Sequence, residues 1–295
     1  MRIFSTGWSN GFDGPGRRWV VYLKGCNFRC KWCANPESLL VDPQILFYPE
    51  RGANPQTACP YGAVSKERPW KLDRTICRTC SDRPCINKWH NRCFELAGRD
   101  ITPKKILTEV RRIKGLFGKS GGITFGGGEA LLQLDELLET AALLQGECHR
   151  AVETNASSEN FEHVLDAFDL LITDLKCVSD STALKWIGAK AGRSVNNILT
   201  AASSGIDMTI RVPLVKGFND GPKELGLIKE VLKDAKARNG NINIEVLRMH
   251  HIGRPKYKAL DMVYNMKDTA EPSEKETLKF IDMLKQENIN AQLVS

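Results

Sequence analysis

Gly25-Cys26-Asn27-Phe28-Arg29-Cys30-Lys31-Trp32-Cys33 decides the reading of this chain. It follows directly on Trp19-Val20-Val21-Tyr22-Leu23, a β-branched and aromatic run with the composition of a strand. Three cysteines at this spacing can fold around one iron–sulfur cubane, each thiolate taking one iron. The fourth iron then has no protein ligand. A metal with an open position marks catalysis, and a closed ligand set marks a structural role. A zinc site completed by a distant fourth ligand is the alternative reading of the same triplet.

The rest of the chain fits a metal-using, reducing setting. It has ten cysteines, and eight of them lie between residues 26 and 93. The N-terminal residues Met1-Arg2-Ile3-Phe4-Ser5 do not open an apolar stretch of signal-peptide length, and no run is long enough to span a membrane. A cytoplasmic location follows as the expectation. There, clustered cysteines indicate metal rather than disulfides. The 42 basic and 35 acidic side chains give a net charge of +7. No Lys/Arg block is dense enough to argue for a nucleic-acid partner. Cys148 and Cys177 stand apart and read as small buried hydrophobes.

Beyond Cys93 short apolar runs recur, at 123–125, 151–154, 170–173, 208–212, 242–247 and 290–294. Segments with helical spacing lie between them, at 103–118, 132–146, 158–168, 195–204, 222–238 and 273–287. Thr102 before Pro103 reads as one N-cap, and Ser273 with Glu276 as a capping box. With the strand at 19–23, the pattern predicts an α/β fold, a full or partial β/α barrel. Residues 46–100 interrupt the rhythm and are rich in Cys, Pro, Arg and Asn. The expected organisation is therefore a first part of the barrel at 1–45, an inserted cysteine-rich, ferredoxin-like module at 46–100, and the remainder of the barrel at 101–295.

A second motif, Gly121-Gly122-Ile123-Thr124-Phe125-Gly126-Gly127-Gly128-Glu129-Ala130, places glycines after a strand. Such glycines let the backbone approach a ligand closely. Alone it is a weak signal. With CxxxCxxC and its aromatic Trp32, it resembles the radical SAM superfamily. Further elements narrow the likeness to the glycyl radical enzyme activating enzymes. They are Asp13-Gly14-Pro15-Gly16, Glu153-Thr154-Asn155, Asp174-Leu175-Lys176, Arg211-Val212-Pro213-Leu214 and the stretch from Met249 to Tyr257. Three positions depart from that family's pattern: Phe12 stands where a His is usual, Ala130 where a Pro is, and Met249 where a Tyr is.

The resemblance implies a radical SAM barrel in which Cys26, Cys30 and Cys33 hold a 4Fe–4S cluster that binds S-adenosylmethionine. It assigns cofactor contacts to Trp32, Gly127, Gly128, Glu129, Glu153, Asp174, Lys176, Arg211 and His250. A small cation between Glu153 and Asp174, beside the cofactor's carboxylate, is implied as well. Asp13, Gly14, Pro15 and Gly16 would contact the partner. In the module, Cys59, Cys77, Cys80 and Cys85 would hold one auxiliary 4Fe–4S cluster. Cys93 as fourth ligand in place of Cys59, a structural zinc, and an empty module stay open. The expected reaction is reductive cleavage of S-adenosylmethionine and removal of a glycine α-hydrogen from a partner glycyl radical enzyme. The electron donor would be a flavodoxin or ferredoxin. Two competing readings remain. One is a radical SAM enzyme acting on a small molecule or peptide. The other is a non-catalytic iron–sulfur carrier or zinc-binding module.

Overall fold

A computed structural model describes residues 1–52, 54–86 and 92–294. Seven strands run parallel in one sheet: β2 (Arg17–Leu23), β6 (Gly122–Gly127), β7 (His149–Thr154), β8 (Leu170–Asp174), β9 (Asp207–Leu214), β10 (Asn243–Arg248) and β11 (Gln292–Val294). They neighbour one another in chain order. β1 (Arg2–Asn10) pairs antiparallel with β2, and the two-residue β5 (Arg99–Asp100) pairs antiparallel with β1. The outermost strands, β11 and β5, do not meet, so the barrel is partial and open on one side.

Helices cover the outer face: α2 (Pro103–Ile113), α3 (Leu134–Leu143), α5 (Gly192–Ser204), α6 (Pro222–Arg238) and α8 (Glu274–Gln286). Each turns an apolar stripe to the sheet. In α2 the stripe is Ile106, Val110 and Ile113, and in α8 it is Thr277, Phe280, Ile281 and Leu284. These side chains and the outward residues of the strands form the main core. The Thr102 side chain accepts from the Lys105 N–H, and Ser273 and Glu276 form the expected capping box.

The expected helix at 158–168 forms only a single 3-10 turn, Phe161–Val164. Its apolar residues Phe161, Val164 and Phe168 are buried as a helical stripe would be. The chain must nevertheless return at once to β8, where the Asp169 N–H already bonds to Arg150 O. Strand β1 carries no clear alternation of its own and was not anticipated. It exists because β2 would otherwise be an uncovered edge.

Within the cysteine-rich segment, β3 (Gln44–Phe47) pairs antiparallel with β4 (Phe94–Ala97), and α1 (Arg74–Thr79) is the single α-helix among the described residues. Ile45, Phe47, Val64, Leu72 and Phe94 give this segment an apolar cluster distinct from the barrel core. The remaining short helices, α4 (Asp180–Trp186) and α7 (Arg254–Ala259), sit at the barrel mouth.

Candidate active site

The last residues of β6, β7, β8 and β10 line one cavity of about 380 Å3, and Cys26, Cys30 and Cys33 lie in its wall. This is the end of a parallel β/α sheet where chemistry is built. Gly127, Gly128, Glu153, Asp174, Lys176, Arg211, Trp32 and His250 all face the same space.

The cysteine loop is fixed by backbone bonds on three sides. Gly25 N–H and Cys26 N–H donate to Ser38 O and Leu39 O at 2.7 and 3.2 Å, and Arg29 N–H and Lys31 N–H to Ile187 O and Trp186 O at the end of α4. Glu129 N–H donates to Gly25 O at 2.8 Å. That bond needs glycine at 128, because a Cβ there would lie 2.1 Å from the Gly25 carbonyl oxygen. Gly127 has a φ of +107°, in the left-handed region that favours glycine. So the glycine run brings the end of β6 against the root of the cysteine loop. Cys26 and Cys30 pack into an apolar cluster with Phe28, Phe218 and Met249, and Trp32 packs tilted against Phe218 with ring centroids 4.7 Å apart. Burial pushes the Cys26 thiol up to about 11 and Cys30 higher still. Loading a metal there must therefore displace protons.

Below the thiols lies a ring of charge. Arg211 on β9 donates to Glu153 Oε1 at 2.7 Å and Glu245 Oε2 at 2.8 Å, and also to the Phe12 carbonyl. Lys176 pairs with Asp174. The strand register explains these meetings, since Arg211 sits opposite Asp174 on one side and Glu245 on the other. Gly126 makes room, because a Cβ there would come 2.7 Å from Glu153 Oε2. Burial dominates the Glu153 carboxyl and raises it to about 7. Arg211 pulls it back, while Asp13 and Asp174 add to the rise. Burial draws Lys176 down, but Asp174 and the thiols of Cys30 and Cys26 more than offset it, and its net shift is upward.

Glu129 is placed differently from the other expected cofactor contacts. Its carboxylate is buried and accepts from Thr154 Oγ1 at 2.6 Å, Asn155 N–H at 2.7 Å and Leu131 N–H at 3.1 Å. It ties the end of β7 to the glycine loop from behind the cavity wall. Thr154 and Asn155 themselves line the cavity. Of the hairpin at 13–16, only Asp13 reaches this cavity. Gly14 and Pro15 line another one at the N-terminal ends of the strands, and Gly16 packs on Ser120 and Gly121. The positions that depart from the family pattern are accommodated. Ala130 and Met249 are buried, and the exposed Phe12 contributes its carbonyl to Arg211.

Glu245 escaped the sequence reading, and Lys256 was read only as part of the Met249–Tyr257 stretch, without a role of its own. Glu245 carries no motif, although its alternation with Ile244 and Val246 marks an inward position. Lys256 on α7 donates to Asn35 Oδ1 at 2.7 Å and Glu37 Oε1 at 2.6 Å, clamping the chain just after Cys33.

In the module, Cys59, Cys77, Cys80 and Cys85 line one small cavity together with Tyr61, Leu72 and Phe94. Cys93 lies apart from it, with its thiol 3.7 Å from Pro49 O. Cys177 is buried behind the cysteine loop, and Cys148 packs against the main core. Among the described residues no disulfide forms, and no three His, Cys, Asp or Glu side chains converge on a single ion position. Both cysteine sets offer soft thiolate donors, the ligand type of iron–sulfur clusters and of zinc.

Comparison with known proteins agrees with this geometry. The Radical SAM superfamily matches residues 20–226. The 4-hydroxyphenylacetate decarboxylase activating enzyme of Clostridioides difficile (strain 630) is 30% identical over 275 residues, covering 89% of this chain and 86% of that protein. The trans-4-hydroxy-L-proline dehydratase activating enzyme of Clostridioides difficile is 28% identical over 293 residues, covering 95% of each. A radical SAM methyltransferase from Sphaerobacter thermophilus shares the fold at a TM-score of 0.53 and 12% identity, covering 100% of this chain and 75% of that one. The chain belongs to the radical SAM superfamily and, within it, to the glycyl radical enzyme activating enzymes.

Proposed function

We propose that Cys26, Cys30 and Cys33 hold a 4Fe–4S cluster with one open iron, and that the cavity beside them takes S-adenosylmethionine to generate a glycyl radical on a large partner enzyme. The observation that carries this reading is the convergence of three buried thiols, two backbone-exposing glycines and a ring of paired charges in one cavity. A 4Fe–4S cluster held by Cys26, Cys30 and Cys33 would supply the electron for reductive cleavage of S-adenosylmethionine, the chemistry needed to remove the partner's glycine α-hydrogen.

The chain's own residues bind, orient and exclude. Gly127 and Gly128 present backbone groups to the cofactor's amino acid end. Lys176 and Arg211 offer positive charge to its carboxylate, and Glu153 and Asp174 offer negative charge to its amino group. Trp32, Phe218 and Met249 keep water from the thiols and from a reactive carbon radical. Asp13 reaches into the cavity from the hairpin and is the candidate contact to the partner's glycine-bearing segment. A small cation between Glu153 and Asp174 would need backbone or cofactor oxygens to complete its shell.

The auxiliary 4Fe–4S cluster is assigned to Cys59, Cys77, Cys80 and Cys85, a reading supported by the cavity they share. A flavodoxin or ferredoxin would supply the electron. Cysteines that form no disulfide suit a reducing cytoplasm. No helix among the described residues is long and apolar enough to cross a membrane.

The test is electron paramagnetic resonance on the anaerobically reconstituted, reduced chain. It is mixed with S-adenosylmethionine and candidate glycyl radical enzymes. A glycyl radical doublet on the partner is expected. Cofactor cleavage that leaves every candidate partner unmodified would favour a small-molecule or peptide substrate instead.

A further inference from the structure

The proposed reaction consumes one electron per turnover, and the cavity mouth must at that moment admit the partner's glycine. An electron donor therefore needs another face close to the thiols, because electron tunnelling weakens steeply with distance. One such place lies over the residue that precedes Cys26. Val41 Cγ2 lies 2.9 Å from where a Cβ on Gly25 would sit, and Leu132 Cδ1 lies 3.7 Å from it. Gly25 is the residue before Cys26, and the Cys26 N–H bonds to Leu39 O, beside Leu40. Leu40, Val41 and Leu132 are nevertheless 47, 53 and 49% exposed. This cap of apolar side chains covers the root of the cysteine loop and faces solvent. Such patches mark contact surfaces.

The neighbouring ground is basic. Leu40 is also on the wall of a trench of about 450 Å3, with Arg74, Arg78 and Arg83 along it and Cys77 in its lining. Arg74 is tied to Asp261 and to two backbone carbonyls. Arg78 and Arg83 enter no ion pair among the described residues, although Asp42 also lines the trench. One face thus touches both the Cys26 loop and a cysteine of the module.

We infer that the surface formed by Leu40, Val41 and Leu132 with Arg78 and Arg83 docks an acidic one-electron carrier protein. This inference rests on the proposed cofactor chemistry and names where its electron enters. The carrier is oxidised by one electron as the chain's cluster is reduced by one, and no proton or group is exchanged. The apolar cap sets the distance of approach, and the free arginines steer an acidic partner and make its association sensitive to salt. Electron-transfer interfaces lie at the small end of protein–protein contacts.

Two separate variants test it, Leu40→Asp and Arg78→Glu, in the reconstituted chain with a flavodoxin as probe. Calorimetry should show each variant binding flavodoxin about tenfold or more weakly than the wild type, with a shallower salt dependence for Arg78→Glu. Flavodoxin-driven 5′-deoxyadenosine formation should fall in step, while the dithionite-driven rate and the iron content stay unchanged. Unchanged flavodoxin affinity, or a dithionite rate that falls equally, would overturn the docking site. Absence of 5′-deoxyadenosine from the wild type under dithionite would instead overturn the reading of the cofactor site.

Discussion

Two residues show how tightly the site depends on single atoms. The buried carboxylate of Glu129 satisfies three donors, and an amide in its place leaves at least one of them unmatched. Glu129→Gln should lower the unfolding free energy by about 2–3 kcal/mol, measured by urea denaturation, because buried donors that lose a charged acceptor are costly. A loss below about 0.5 kcal/mol would show that the carboxylate is not the tie described. Gly128 has no room for a methyl group against the Gly25 carbonyl. Gly128→Ala should displace the cysteine loop and lower the iron it retains, with cofactor cleavage falling in parallel. Full iron content and full cleavage in that variant would contradict the packing. Asp174 and Lys176 were legible in the sequence because they end and follow a strand inside a recognisable motif, and Arg211 because it lies in a motif within strand β9. Glu245 was not, since its role comes from the register that sets it opposite Arg211 on the neighbouring strand.

Among elements, α8 is held at its start by the capping box and by an ion pair from Lys216 to Glu276 at 2.6 Å. The Lys216 bond and the Ser273 donors lower the Glu276 carboxyl from 4.5 to about 2. A depressed carboxyl stabilises the fold above its unfolded value, and the contribution is lost as pH falls from about 4.5 toward 2. The urea midpoints of wild type and Glu276→Gln should therefore differ at pH 7, still differ at pH 4, and converge only as the pH approaches about 2. An equal difference at pH 7 and at about pH 2 would contradict the assignment. This cap, Thr102 and the seven parallel strands could be read from the sequence, because local chemistry and periodicity specify them. The single turn at 161–164 could not. Its apolar spacing matches a helix, and only the short return to β8 forbids one. The β1 strand and the small β3–β4 sheet were hidden for a related reason, since their pairing partners, not their own pattern, make them strands.

At the scale of the whole molecule, an open barrel carries a second cysteine set on an inserted segment. The cavity lies beside the cysteine loop, and the proposed electron carrier would dock on the exposed side chains over Gly25. The division into two cysteine sets predicts separable losses. Cys80→Ala should remove roughly one cluster's iron and lower stability while sparing cleavage of S-adenosylmethionine by dithionite-reduced protein. Iron analysis beside product chromatography checks this, and iron content equal to wild type would contradict a cluster in the module. The central claim is the three-thiol site with its open iron. Its most direct test is quantification of 5′-deoxyadenosine from anaerobic, reduced protein and S-adenosylmethionine, in wild type and in Cys30→Ala. The account predicts product from the wild type and none from the variant, whose module iron remains in place. Equal product from both would contradict it.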